Sequence, residues 1–576
     1  MLTKKKWILL ILGLVGALAL FAGCASAAEK VLAPTPYYGG EGGGGTAVAL
    51  PTATPLGAEV KPVAGGVLRG YYSADPSYWD PNGGTAGAVG PWNRVSVPLL
   101  QFNNGPQYEP WDFSISPNSV AQSWEISKDG LTYTFHLRQG VLWQNKPPLN
   151  GRELVATDVK WTYERHIAQA GAPRREQMQV IQSIECPDKY TVVLHLKEPR
   201  ADMLLLLAGP YIPILAPELA TITGDLNTPK ACMGFGPFIL DEFVNNVRIV
   251  YKKNPTYYRA KEGLPYLDGM YNILIADAST SLAAFRAEKI DIRGVARIDL
   301  ASVKQTNPKV YCYENEIGAS VTSLAFRTDK APFSDANLRR AVALSINRQE
   351  VINTFYYGYA IPQLGPIHAK SEWYLGDEEM KKLAKYQAYD PEAARRLVAE
   401  AGYPNGLSIS FAVSSGSTME YEEYVVDALG KIGIKATLRP YESGAFYSVV
   451  YNQKAYDDMT FLTVWAGGTF GPDIWLNQIY GTGYGSNYSR VSDPKLDPLL
   501  KAQMVEMDPV KRKETIDEIQ RYLIEQAYYV YGHHSYSVTC LQPWVRNYKT
   551  HAASYHYGRI EELIWLTEDA AGRKGG

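Results

Sequence analysis

Histidine, cysteine and carboxylate side chains carry most of the reactive chemistry available to a protein, and their spacing decides what they can do together. His533 and His534 are adjacent, and His551 and His556 lie close by. A metal site gathers several such ligands at one point. No acidic or cysteine partner falls at ligand spacing here, and neighbours on a strand point to opposite faces. These histidines therefore predict no metal. The chain has no Gly-x-Ser-x-Gly elbow, no His-Glu-x-x-His and no phosphate-binding loop. Gly481-Thr482-Gly483-Tyr484-Gly485 lacks dinucleotide-binding spacing and reads as a surface loop. With 59 acidic residues, sequence sets no particular carboxylate pair across a scissile bond. No catalytic residue and no cofactor is expected.

The elements that would position a site are those of a mixed α/β chain. Tyr133, Phe135 and Leu137 alternate with polar neighbours, as do Val192, Leu194 and Leu196. Val247, Ile249 and Tyr251 do the same, as do Leu407, Ile409 and Phe411. Period-two alternation predicts half-buried strands. Between them lie helices. Asp390 caps one that begins at Pro391 and stops at Gly402. Ser334 is placed to cap another, with Leu338, Ala341, Val342 and Ser345 on the inner face and Arg339 and Arg340 outside it. A third runs from about Pro509 to Gln526. No short repeat appears, which excludes solenoids and propellers.

The whole chain has 576 residues, room for several domain-sized units. Its formal net charge is −2, without the basic excess of a nucleic-acid binder. Its 41 tyrosines and 12 tryptophans offer wide amphipathic contact surfaces. Lys4, Lys5 and Lys6 precede an apolar run from Trp7 to Gly23, barely long enough to span a bilayer. This predicts a signal peptide over residues 1–23. Residues 24–65, rich in Gly, Pro and Thr, read as a flexible tether spanning roughly 35 Å. In an exported chain Cys186, Cys232, Cys312 and Cys540 are free to form disulfides. Four cysteines allow three full pairings, and sequence does not choose among them.

Four blocks in order carry a family resemblance. The first is Val120-Ala121-Gln122-Ser123-Trp124-Glu125 with the strand ending in Phe135-His136-Leu137-Arg138 and Ala156-Thr157-Asp158-Val159-Lys160. The second is Gly236-Pro237-Phe238 with Asn254-Pro255-Thr256-Tyr257-Tyr258. The third is Ala331-Pro332-Phe333 with Leu338-Arg339-Arg340-Ala341-Val342. The fourth is Asp390-Pro391-Glu392-Ala393-Ala394 with Gly402-Tyr403-Pro404. Together they resemble the family 5 solute-binding proteins, extracytoplasmic receptors of ABC importers for peptides, nickel and oligosaccharides. Cys24, after Ala22-Gly23, resembles the lipidated cysteine of bacterial lipoproteins. It implies anchoring at the cell membrane, on the periplasmic side or outer surface.

The resemblance implies a periplasmic-binding-protein-like α/β fold of two lobes, with an extra domain inserted in lobe I. Lobe I would hold residues 66–104, 235–311 and 531–576, the inserted domain 105–234, and lobe II 312–530. Crossings near Tyr311–Asn315 and residues 529–533 would form the hinge. The implied function is capture of a solute, foremost an oligopeptide, by a monomer that closes on it and delivers it to a membrane permease with ATPase subunits. An oligosaccharide receptor is the close variant; an extracytoplasmic hydrolase, and a sensory or chaperone-like receptor, stand further off. Peptide binders of the family carry Trp-x-x-Asp-Tyr in a cleft loop. Here Trp465, Gly467, Gly468 and Thr469 occupy that loop, and Gly468 stands where the aspartate would grip an α-ammonium. Asp473 is the nearest substitute. Arg327 is placed to hold a carboxylate, and Tyr72, Trp92 and Tyr531 to offer aromatic contacts.

Overall fold

The structure is a computed structural model that describes residues 61–573, apart from 77, 84–85, 173, 223, 225, 316–319, 416–418, 466–470 and 552–558. The expected signal peptide, Cys24 and most of the tether lie outside the described residues. So does His556.

Lobe I opens with β1 (Val67–Tyr72). The chain then leaves it for an antiparallel sheet of β2 (Ala121–Ile126), β3 (Thr132–Leu137), β4 (Ile181–Asp188) and β5 (Thr191–Leu196), in the order β2-β3-β5-β4. The alternation read from sequence decides its faces. Tyr133 pairs with Leu194 and Phe135 with Val192, all buried. The chain returns through β6 (Phe238–Val244), β7 (Arg248–Lys253) and β8 (Gly269–Leu274), forming the sheet β1-β8-β7-β6. Ile249 and Tyr251 are buried, but Val247 falls in the turn before β7 and is exposed. Next come β9 (Ile292–Val295) and β10 (Tyr311–Asn315).

Lobe II comprises β11 (Ser320–Phe326), β12 (Ala360–Pro362), β13 (Leu407–Ser414), β14 (Ile434–Tyr441), β15 (Met459–Trp465), β16 (Tyr529–Tyr531) and β17 (His533–Ser535). Its main sheet has the order β14-β13-β15-β11-β16, and β12 pairs with β17 beside it. Then β18 (Ser537–Leu541) enters between β10 and β9, and the short pair β19 (Val545–Arg546) and β20 (Trp565–Leu566) completes lobe I.

Two expected boundaries move. β10, with Cys312, pairs with β18 in lobe I, so lobe I extends to Asn315. Tyr531 pairs with Ser323 in the lobe II sheet, and the chain stays with lobe II through Ser535. Strand pairing, invisible to a one-dimensional pattern, fixes both points.

The helices follow their caps. Asp390 accepts from the Ala393 amide at 2.8 Å and opens Pro391–Glu400. Gly402, at φ +94°, ends that turn. Asp335, not Ser334, caps Ala336–Ser345, accepting from the Asn337 amide at 2.7 Å. Asp508 caps Pro509–Gln526. Arg339, expected outside the apolar face, is buried and donates to the carbonyls of Phe333 and Gln526.

The cores divide the molecule into two bodies. One apolar cluster joins the inserted domain to lobe I, where Trp143 meets Phe235 edge to face at 5.0 Å, and a smaller one lies under β9, β10 and β18. Lobe II has its own clusters on the two sides of its sheet. Cys312 and Cys540 lie opposite each other on β10 and β18 and form a disulfide; Cys186 and Cys232 are free.

Candidate ligand cleft

Strand direction locates the cleft. In lobe II, β13 runs parallel to both β14 and β15, so Ser414, Tyr441 and Trp465 end on one edge. β11 is antiparallel to β15 and begins at that edge, with Ser320 opposite Trp465. β16 is antiparallel to β11 and ends there too, where the Gly532 amide donates to the Thr322 carbonyl at 2.8 Å. In lobe I, β1 and β8 are parallel and end at Tyr72 and Leu274. Arg69 of β1 brackets Asp291, just before β9, and Tyr71 lies under Arg293, so β9 runs the same way as β1. β9 and β10 both lie antiparallel to β18, hence parallel to each other. Four lobe I strands thus end at one edge, at Tyr72, Leu274, Val295 and Asn315.

The two carboxyl edges are joined by two short crossings. Residues 316–319 link Asn315 to Ser320, and Tyr536 alone separates β17 from β18. Asn315 and Ser320 are five steps apart along the chain and so at most about 18 Å apart, which keeps the edges close. In open α/β sheets a ligand binds outside the carboxyl ends of the strands. The crevice between these edges is the candidate site, and the crossings are the candidate hinge.

Arg297, which sequence reading passed over, spans this hinge. It begins the helix Arg297–Thr306 of lobe I, yet its Nη2 donates to the Tyr536 carbonyl at 2.7 Å. Its guanidinium sits 3.8 Å from the ring centre of Tyr359 in lobe II. Burial lowers its pKa, with Glu314 at 3.9 Å opposing that shift. Nothing in its sequence context marks it, because its partners are a backbone carbonyl and a ring reached through the fold.

The expected site residues separate into three groups. Tyr72 ends β1 and Trp465 ends β15, so both stand on the cleft edges. Burial and the neighbouring Asp75 raise the Tyr72 hydroxyl's pKa. Gly467, Gly468 and Thr469 continue from Trp465 and lie outside the described residues. Tyr531 is buried at the cleft end of β16, and its carbonyl accepts from Arg348 Nε at 2.7 Å.

The remaining three are placed elsewhere. Trp92 is wholly buried in the lobe I core, its indole N–H donating to the Trp79 carbonyl at 2.5 Å. Arg327 follows the carboxyl end of β11, which points away from the cleft because that strand is antiparallel. There it pairs in bidentate fashion with Asp329, at 2.8 Å for both bonds. Asp473 stands in the first turn of Pro472–Tyr480 and is 1% exposed, with Oδ2 2.9 Å from Arg200 Nε of the inserted domain. Burial and the Asp202 charge raise its pKa.

His533, His534 and His368 are buried beside the hinge. His368 and His534 meet edge to face at 4.6 Å, and Trp111 stacks on His368 at 4.9 Å. Among the described residues no group of three or more His, Cys, Asp or Glu side chains is arranged to hold a metal, and no helix is long and apolar enough to cross a membrane.

Comparison with known proteins agrees with this architecture. The family model described as bacterial extracellular solute-binding proteins, family 5 middle, matches residues 117–487. Heme-binding protein A of Haemophilus influenzae is 28% identical over 475 residues, covering 78% of this chain and 84% of that protein. Di/tripeptide-binding protein 2 of Pseudomonas aeruginosa is 28% identical over 483 residues, covering 79% and 86%. Among solved structures, the ABC transporter-associated periplasmic binding protein DppA from Helicobacter pylori, in complex with the peptide STSA, superposes with a TM-score of 0.74 at 26% identity, covering 88% of this chain and 98% of that one. AgaA from A. tumefaciens R10, in complex with agropinic acid, gives 0.72 at 26% identity, covering 87% and 99%. Two lobes joined at facing strand ends, with a family match over residues 117–487, place this chain among the bacterial extracellular solute-binding proteins of family 5.

Proposed function

We propose that this chain is the solute receptor of an ABC importer and captures a short peptide between its lobes. Closure about the two crossings buries the solute and presents the closed form to a membrane permease and its ATPase subunits. The carrying observation is the pair of carboxyl edges joined only through residues 316–319 and 535–537. The peptide assignment rests on the di/tripeptide-binding relative and the peptide held by the Helicobacter pylori protein. Cys24 supplies a lipid anchor, and the tether lets the folded body, a monomer, reach the permease.

The test is a melting-temperature screen of the full chain against di-, tri- and tetrapeptide mixtures, with oligosaccharides in parallel. A peptide at 100 times its dissociation constant stabilises the closed form by about 2.7 kcal/mol. Small-angle scattering should show compaction with the same mixture. Stabilisation by oligosaccharides alone would replace the peptide reading. Trp465→Ala should weaken binding of the identified solute about tenfold or more; unchanged affinity would remove Trp465 from the site.

A second reading, a solute without a free amino group, is favoured by two observations. Gly468 replaces the expected aspartate, and Asp473 faces Arg200 rather than standing free to take an ammonium.

A further inference from the structure

Lobe II and the inserted domain meet without a direct covalent link between them. The inserted domain shares its core with lobe I, and lobe II joins lobe I only through the two crossings. Any hinge opening that moves lobe II away from lobe I therefore acts on this contact. Besides the stack of Trp111 on His368, it holds a buried cluster of charge. Asp202 of the inserted domain is 1% exposed and forms an ion pair with Arg512 of lobe II, itself 5% exposed. Asp202 Oδ2 also accepts from the Asp473 amide at 3.2 Å. Both of these partners belong to lobe II, and Asp202 makes no capping bond to its own helix, Met203–Ala208. Beside it Arg200 meets Asp473, and the Ala201 amide donates to the Met504 carbonyl at 2.9 Å. Lys501 with Glu198, at 3.2 Å, forms a more exposed rim. Gly471 makes the approach possible: a Cβ there would lie 2.1 Å from Asp202 Oδ2.

We propose that this buried cluster is a closure latch, a contact outside the solute cleft that sets how much of the receptor stands closed before solute arrives. The inference rests on the hinge reading above. Separated, all four charged groups return to water. Docked, they are dry: Asp202 holds the Arg512 guanidinium and the Asp473 amide across the contact, while Arg512 also donates to Gln503 within lobe II, so removing Asp202 strands part of a buried guanidinium. Apparent affinity scales with the fraction of molecules in the binding-competent form. The latch thereby tunes affinity without touching solute.

Hydrogen exchange and small-angle scattering on the solute-free full chain test this. In Asp202→Asn, and independently in Arg200→Gln, exchange of the Ala201 and Asp473 amides should rise at least tenfold and the radius of gyration should increase. Amides of β5 and β13 should keep their protection, which confirms that the variants fold. Unchanged exchange at Ala201 and Asp473 in a folded variant would overturn the latch. Faster exchange with constant scattering would overturn it too, since that is local fraying. Constant scattering in wild type and variants, even with a saturating tripeptide mixture, would instead overturn the hinge reading beneath it.

Discussion

Buried charge and buried imidazole dominate the residue scale. His368 and His533 are held neutral: burial first, then His534, with Lys370 acting on the one and Arg348 on the other, lowers both pKa values to about 3. In the unfolded chain a histidine titrates near 6.5. The unfolded state therefore binds protons that the folded state refuses. This contribution to stability is complete above pH 6.5 and is lost progressively as pH falls toward 3. Two such groups give a slope of up to about 2.7 kcal/mol per pH unit. Urea unfolding at pH 7.5 and pH 5.0 should show the loss, and His533→Gln should flatten it. Arg348 makes a second test. It donates to the carbonyls of Tyr531 and Gln387 inside lobe II. Arg348→Met leaves those acceptors buried and unpaired, and should lower unfolding free energy by about 2–3 kcal/mol with an unchanged denaturant slope.

At the scale of elements, the blocks that carry the family resemblance prove to be scaffold. Arg339, Arg340 and Arg348 clamp the carbonyls of Gln526, Glu525 and Tyr531, tying two successive helices to the end of Pro509–Gln526 and to β16. What was legible in the sequence was local: the alternation of β3, β5 and β13, the Asp390 cap, and the length of Pro509–Gln526. What was not legible depended on pairing across long separations. The family position of Arg327 points to the cleft, but the direction of β11, and so the end on which Arg327 falls, is decided by pairing with β15, well over a hundred residues later. Trp92 looked available because an isolated tryptophan says nothing about the core that covers it. Ser334 and Asp335 are adjacent cap formers, and only geometry chose between them. The disulfide is also an element-scale feature. Joining residues 228 apart, it should stabilise by about 5 kcal/mol in the chain-entropy account. Cys312→Ser with Cys540→Ser should lower the denaturant midpoint accordingly, and equal midpoints would refute that account here.

For the whole molecule, the division into two bodies matters more than the count of domains. The inserted domain shares an apolar cluster with lobe I, and no cluster of the described residues joins either to lobe II. Exchanging Cys24 for serine tests the molecule's address: the variant should shift from the membrane fraction to the soluble extracytoplasmic fraction, whereas retention at the membrane would dismiss the lipid anchor. The bridge between Cys312 and Cys540 reaches this scale as well, since it lies on the lobe I side of both crossings and encloses lobe II within one covalent ring. A protease that cuts once within that ring yields two fragments only after a reductant is added. Until then the nicked protein migrates as a single chain, and both pieces stay joined through the lobe I bridge.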